Sequence, residues 1–158
     1  MASLVTRVQE DEACGKDLKE GNALAELALE AFRNFDLYRE VGCLKNKETG
    51  SYCFAEAVAS KRADESYFYN LPTGTSLPSG AKTNCQSSCT KDLMRIYSSY
   101  AVDPELSISG TYRDAQTRVN RECGPDFAQA ASLQSSSLAL KPTLWALLVL
   151  GFSYFILQ

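Results

Sequence analysis

The chain has 158 residues, the length of one domain, and a net charge of −3. Its 16 Lys and Arg residues are scattered, whereas phosphate binding needs a concentrated basic face, so nucleic acid is not expected as a partner. The sequence has no histidine. This excludes Ser-His-Asp and Cys-His catalysis and most zinc and copper sites. No cofactor and no metal ion are expected, and the remaining enzymatic chemistry is that of carboxylates.

Residues 1–12 are predicted to be a flexible N-terminus. A secretory signal peptide needs an apolar run of about 7 to 15 residues, and these residues contain no such run. The features described below nevertheless indicate secretion. Either the sequence lacks its true start or the interpretation of the C-terminal tail is wrong, and we favour the missing start.

Six cysteines in a short chain favour a disulfide framework formed in an oxidising compartment. Free thiols in a cytosolic protein are the alternative. A four-cysteine zinc site is disfavoured because the sequence has no C-x2-C pair. Two bridges are proposed, a local one from Cys43 to Cys53 and one from Cys123 to the third predicted helix. The six predicted disulfide cysteines are Cys14, Cys43, Cys53, Cys85, Cys89 and Cys123.

Cys85 and Cys89 are four residues apart, which is one helical turn. A redox-active pair has C-x-x-C spacing. We therefore expect structural roles for both, with bonds to two different partners.

Four segments have the apolar periodicity of amphipathic helices. In the first, Asn22 is a candidate N-cap and Gly42 a candidate end. Its apolar residues form one stripe of Leu24, Leu27, Ala28, Ala31, Phe35 and Tyr38. The predicted helices cover 22–41, 52–61, 85–100 and about 109–123.

The predicted fold class is therefore all-α: a small disulfide-stapled bundle of about four helices with a long irregular loop over 63–83, plus a C-terminal hydrophobic segment. The Cys-rich helical domain is placed at 13–130. In the loop, Tyr67, Phe68 and Tyr69 are candidate ligand contacts, for example with a cell-wall sugar. The competing and favoured interpretation is that these rings pin the loop to the core.

The carboxylates of the sequence do not form a recognisable acid/base pair, and most are expected on solvated helix faces. The prominent ones are Glu26, Glu30, Asp64, Glu65 and Asp92.

The C-terminal tail, 144–158, begins with an uncharged apolar run from Leu144 to Leu157. As a helix this run spans about 21 Å, less than the roughly 30 Å of a bilayer core, and no basic residue follows it. A glycolipid (GPI) attachment signal explains this better, with 131–143 as linker and spacer. A short membrane anchor and a buried core helix are the alternatives. The candidate attachment residues are Ala130, Ala131, Ser132 and Ser135.

The cysteine-bearing segments also form a set that resembles a family. They are Cys14-Gly15, Gly42-Cys43-Leu44, Thr49-Gly50-Ser51-Tyr52-Cys53, Tyr69-Asn70-Leu71-Pro72, Cys85-Gln86-Ser87-Ser88-Cys89 and Cys123-Gly124-Pro125-Asp126-Phe127. Over about 13–130 this set resembles an uncharacterised fungal family, domain of unknown function 7729. The resemblance implies a secreted, Cys-rich domain, often followed by a Ser-rich stretch and a glycolipid signal. It implies no catalytic residues.

The sequence thus predicts a non-enzymatic protein of the outer cell surface or cell wall with a structural, adhesive or recognition role. Its expected partners are the membrane, through the C-terminal anchor, and a cell-wall glycan or lipid ligand. A lipid- or sterol-binding helical module is one alternative and a His-free carboxylate enzyme is another. An apolar cavity would favour the first alternative, and a cleft with two facing carboxylates the second. A solid core with an exposed aromatic patch would favour the surface role.

Overall fold

The computed structural model describes residues 2–61 and 64–132, and this part of the chain is all-α, as expected. Lys45 and Tyr52 form an isolated antiparallel bridge, and the described ranges hold no strand. No helix within them is long and apolar enough to cross a membrane. The tail 144–158 and the spacer after Ser132 lie outside the described residues.

The described helices are shorter and more numerous than the four expected. The predicted first helix is divided in two, the N-terminus is helical, and part of the predicted loop is helical as well. The elements are α1 (Ala2–Val8), α2 (Gly15–Lys19), α3 (Ala23–Arg33), α4 (Phe35–Gly42), α5 (Cys53–Ala59), α6 (Asp64–Tyr67), a 3₁₀ helix (Phe68–Thr73), α7 (Ser88–Tyr100) and α8 (Ile108–Cys123).

Helices α3 and α4 replace the single predicted helix because of Asn34. Its side chain is fully buried, and its Nδ2 donates to the backbone oxygen of Glu30 at 3.0 Å and to the Glu30 carboxylate at 2.7 Å. Such local bonds compete with regular helix geometry and bend the chain. The predicted ends are confirmed, since the Asn22 side chain accepts from the amide of Leu24 at 3.0 Å and α4 ends at Gly42.

The N-terminal residues, expected to be flexible, instead form α1, which packs against α3. Val5 and Val8 lie one helical turn apart and are both half-buried. The chain then returns past its own backbone at Gly15, where an added Cβ would lie 2.5 Å from the Gln9 carbonyl oxygen. This close approach explains why a glycine follows Cys14.

The predicted irregular loop 63–83 is partly helical, and the irregular segment is 74–87. Phe68 and Leu71 of the 3₁₀ helix are fully buried, so apolar burial orders the start of the predicted loop. Farther along, the Arg118 guanidinium of α8 donates to the backbone oxygens of Pro78, Ser79 and Ala81. One side chain therefore satisfies several carbonyls of a segment that lacks secondary structure.

Helices α7 and α8 form the centre of the domain and run antiparallel. Cys85, just before α7, bonds to Cys123, the last residue of α8, with 5.3 Å between their Cα atoms. Tyr97 of α7 is fully buried and donates its hydroxyl to the Phe68 backbone oxygen at 3.1 Å. The buried core comprises Leu37, Val41, Phe68, Leu71, Leu93, Met94, Ile96, Tyr97, Leu106, Ile108, Tyr112, Ala115, Val119 and Ala128.

Replacement of Tyr97 by Phe is expected to lower the free energy of unfolding by about 1 to 2 kcal/mol. The ring volume is kept, but the buried Phe68 carbonyl loses the hydroxyl that donates to it. Urea unfolding measures the change. Tyr52→Phe is the matched control, because this ring is 50% exposed and should change stability by less than about 0.5 kcal/mol. Equal stability of the two variants would contradict the role of the Tyr97 hydroxyl.

Candidate functional site

Four of the six cysteines form two disulfides, Cys53–Cys89 and Cys85–Cys123. The prediction that Cys85 and Cys89 bond different partners is confirmed. The predicted Cys43–Cys53 bridge is wrong, because Cys53 opens α5 and is bonded to α7, 36 residues farther along the chain. Cys123 bonds to Cys85, the first residue of the predicted third helix (85–100), as proposed, although α7 itself begins three residues later, at Ser88.

Cys14 and Cys43 are not bonded in this structure, although all six cysteines were predicted to form disulfides. Cys14 is half-buried and Cys43 is exposed. Cys43 caps the end of α4, just past its last turn, where its side chain faces solvent. The described residues contain no cluster of three His, Cys, Asp or Glu side chains that could hold a metal ion.

The three aromatic residues proposed as ligand contacts have different environments. Phe68 is 1% exposed and belongs to the core, so it has no face for a ligand. Tyr69 is half-buried and packs edge-to-face on Phe54, with ring centroids 5.0 Å apart. Tyr67 is half-buried too. For Phe68 and Tyr69 the geometry is that of core packing.

Tyr69 borders a small pocket beside the Cys53–Cys89 disulfide. The pocket volume is about 20 Å³, room for one water molecule. Two carboxylates also border it, and both are held by neighbouring side chains. Glu56 accepts from Thr49 and, at 2.7 Å, from Asn46 Nδ2, while Glu65 accepts from Asn84 Nδ2 at 2.8 Å. These contacts hold loop segments against α5 and α6.

The hydrogen bonds to Glu56 also favour the ionised form of its carboxyl group. Donation from Thr49 and Asn46 lowers the pKa of this carboxyl below its ordinary value. A carboxyl group that serves as a general acid near neutral pH needs a raised pKa instead. Glu56 is therefore a fixed anion that orders the turn before α5.

The larger described clefts are polar and lie on the surface. One of about 390 Å³ includes Lys82, Arg121 and Glu122, and its central Arg118 is already bonded to loop carbonyls. A second, of about 410 Å³, lies between α1 and the segment before α8 and includes Asp103 and Glu105. Neither has the predominantly apolar lining of a lipid site.

The end of the domain, where three attachment residues were predicted, is part of the folded structure. Ala128 is buried, and its amide donates to Asn120 Oδ1 at 2.7 Å while its carbonyl accepts from Asn120 Nδ2 at 2.9 Å. The Tyr112 hydroxyl donates to the Gln129 oxygen. Ala130 and Ala131 are exposed, and the amide of Ser132 donates to the Ser98 oxygen at 3.1 Å. Ser135 lies outside the described residues.

Five of the six residues in the predicted apolar stripe of the first helix are exposed, Ala28 is half-buried, and the opposite side of the helices is buried. Ala25 and Leu29 of α3 and Leu37 and Val41 of α4 face the core. We call the exposed set the α3–α4 face. Its members recur at three- and four-residue steps: Leu24 (78% exposed), Leu27 (66%), Ala31 (exposed), Phe35 (40%) and Tyr38 (37%).

Sequence reasoning missed the exposure of this face. One feature of the sequence could have indicated this exposure: the segment 22–41 has a second apolar row. Its residues are spaced four apart in two pairs, Ala25 with Leu29 and Leu37 with Val41. A helix with two apolar rows can bury either one. The first row has six apolar residues and the second has four, but the larger number did not decide which row is buried.

Unfolding the protein under non-reducing conditions with iodoacetamide present is expected to modify two cysteines, Cys14 and Cys43. On stepwise reduction of the native protein, Cys85–Cys123 should open before Cys53–Cys89, because Cys85 is exposed whereas Cys53 is 1% exposed. Peptide mass spectrometry gives the order. A protein without modifiable thiols would contradict the free state of Cys14 and Cys43, and opening of Cys53–Cys89 first would contradict the expected effect of its burial.

Alkaline pH is expected to destabilise the domain. Burial raises the pKa of Tyr69 and of Tyr112 from 10.0 to about 12. A pKa that is higher in the folded than in the unfolded chain gives stability that is complete below pH 10 and is lost as the pH rises through about 12. Thermal unfolding at pH 9, 10, 11 and 12 measures it. An unfolding temperature that stays constant from pH 10 to 12 would contradict the burial of these hydroxyls.

Comparison with known proteins places this arrangement in a family. No curated protein and no solved structure matches the chain. A family model does match residues 1–132, a span that runs from α1 through both disulfides to the amide of Ser132. Because this span covers most of the 158 residues, the chain belongs to the family described as Domain of unknown function (DUF7729).

Proposed function

We propose that this is a non-enzymatic protein of the outer cell surface or cell wall that acts in adhesion or recognition and is tethered by a C-terminal glycolipid. The observation that carries the proposal is the α3–α4 face. Among the described residues, Leu24 and Leu27 are the most exposed of the large hydrophobic side chains, and most of the other large apolar residues fill the core. A row of exposed apolar residues with an aromatic end is typical of a contact surface.

The scaffold beneath the face suits such a role. Leu37 and Val41 anchor α4 to the core, and α3 is held from the other side by α1 and α2. The face is therefore presented by helices packed in place, which lowers the entropy lost when a partner binds. Phe35 and Tyr38 supply ring faces for a sugar or an apolar ligand.

The tether rests on the sequence of the tail. Leu144 to Leu157 is uncharged and apolar, and small residues precede it at two places. This order of small residues, spacer and apolar tail is that of a glycolipid signal. Two disulfides in the preceding domain agree with passage through an oxidising compartment.

The two other candidate functions have less support. A lipid-binding module needs an apolar cavity of several hundred Å³, whereas the pocket beside the Cys53–Cys89 disulfide has about 20 Å³ and the larger clefts are polar. A carboxylate enzyme needs an acid with a raised pKa, and Glu56 has a lowered one.

Replacement of Leu24 and Leu27 by Ser is expected to lower adhesion of cells that carry the protein to polystyrene beads by about tenfold. Loss of roughly 1.4 kcal/mol of apolar contact corresponds to a factor of ten. The gene is expressed from its own locus, and an antibody raised against the folded protein measures its amount on the cells. Phosphatidylinositol-specific phospholipase C should release the wild-type protein and reduce adhesion to the same level.

Val102→Ser is the matched control, because Val102 is an exposed apolar residue (37%) away from the α3–α4 face. It should leave adhesion unchanged, and all variants should unfold at the wild-type temperature. Full adhesion of the Leu24, Leu27 variant would contradict the role of the face. A phospholipase that releases no protein would contradict the glycolipid.

A further inference from the structure

We propose that a second surface of the domain binds a neutral sugar. The site is the cleft bounded by α1, by Phe32, Arg33 and Asp36 at the junction of α3 and α4, and by 103–106; we call it the α1 cleft. Its volume of about 410 Å³ is within the range of about 300 to 1,000 Å³ that small-molecule sites have. The α1 cleft shares no residue with the α3–α4 face, so the inference goes beyond the proposed function and does not depend on the tether.

The observation that carries the proposal is an unpaired hydrogen-bond donor. The Nε atom of Arg33 is buried and has no hydrogen-bond partner within the described part of the chain. Buried polar atoms are nearly always paired, because an unpaired one is costly to keep away from water. Arg33 lines the α1 cleft, and a ligand oxygen that accepts from its Nε would remove this cost.

Three carboxylates share the α1 cleft with Arg33, those of Asp36, Asp103 and Glu105. Within the described ranges none of them forms an ion pair with Arg33; Asp36 instead lies 3.8 Å from Arg39. One oxygen of Asp103 accepts from the amide of Glu105 at 2.9 Å, which orders this wall of the cleft. A molecule in the cleft therefore meets a cation that donates and anions that accept, separated from one another.

This combination selects among classes of ligand. The carboxylates do not belong to a described cluster that could hold a metal ion, and the charge of Arg33 opposes one. A Lys or Arg side chain of a peptide has donors only, so it would leave the Arg33 Nε unpaired and would place two cations together. A hydroxyl group both donates and accepts. A sugar has several hydroxyls on neighbouring carbons and can therefore bond to both kinds of group at once.

The α1 cleft also has apolar surface for the ring of a sugar. Phe32 and Val5 are half-buried and line it, together with the buried Leu106. The C–H groups on one face of a sugar ring are apolar and pack on aromatic and aliphatic side chains. A lining of this mixed kind fits a sugar better than it fits a small inorganic ion.

Two walls of the α1 cleft are joined before any ligand binds. The Glu30 carboxylate accepts from Ser107 Oγ at 2.5 Å and from Asn34 Nδ2 at 2.7 Å. Asn34 follows Arg33 in the sequence, and Ser107 follows Leu106. These bonds hold the junction of α3 and α4 against the segment before α8, and a site that is ordered in advance loses less entropy on binding.

Calorimetric titration with sugars is the direct test. The full chain is purified in a polyoxyethylene detergent, which has no sugar headgroup, and is titrated with laminaripentaose, chitopentaose and mannotriose. We expect at least one of these sugars to bind one-to-one with a Kd below about 1 mM. Failure of all three to bind at about 10 mM would overturn the proposal. Binding of pentalysine in place of the sugars would also overturn it and would assign the α1 cleft to a basic peptide.

Two substitutions locate the sugar. Arg33→Lys keeps the charge and removes the Nε donor, and Glu105→Ala removes a carboxylate at an exposed position where the fold does not depend on it. Each is expected to raise the Kd about tenfold, because hydrogen bonds to charged groups are lost. Arg113→Lys is the matched control, at an exposed arginine outside the α1 cleft, and should leave the Kd unchanged. An unchanged Kd in both cleft variants, at the wild-type unfolding temperature, would overturn the assignment.

The variant in which Leu24 and Leu27 are replaced by Ser separates this site from the α3–α4 face. It should bind the sugar with the wild-type Kd, since neither residue lines the α1 cleft. If this variant loses sugar binding while Arg33→Lys and Glu105→Ala keep it, the sugar binds to the α3–α4 face. That result would overturn the α1 cleft as the site and would support the proposed role of the face.

Discussion

The start of α7 is the point on which the arrangement of the domain depends. Both disulfides converge there: Cys85 ties this end to the end of α8, and Cys89, one turn later, ties it to the start of α5. The two bonds close loops of 38 and 36 residues along the chain, and each contributes about 2 to 4 kcal/mol by restricting the unfolded chain. The Ser87 side chain also accepts from the Thr90 amide, so the same turn is capped. Helices that are too short to be stable in isolation are thereby held in a fixed arrangement.

The packing outward from this point explains which surfaces are closed and which are open. Tyr97 and Tyr112 fill the space between α7, α8 and their neighbours, and each uses its hydroxyl to hold a backbone carbonyl of a segment without α-helical structure. Through Tyr97 the 3₁₀ helix is fixed, and through Tyr112 the end of the domain is fixed. The disulfides therefore fix the helices relative to one another, and the buried tyrosines fix the irregular segments to those helices.

The same packing leaves the α3–α4 face without a partner within the described residues. Asn34 bends the chain so that α4 presents Leu37 and Val41 to the core while Phe35 and Tyr38 remain accessible.

Composition and local pattern were enough to predict the all-α class, the cap at Asn22, the end at Gly42 and the separate partners of Cys85 and Cys89, because each depends on residues close in sequence. Long-range choices decided the rest. Six cysteines allow fifteen pairings, and their spacing along the sequence does not rank these. The Cys43–Cys53 bridge was predicted because the two residues are close in sequence, and it is wrong because Cys53 bonds to the distant Cys89. The 22–41 segment has two apolar rows of similar periodicity, and only the packing of α4 on α7 selects the buried one.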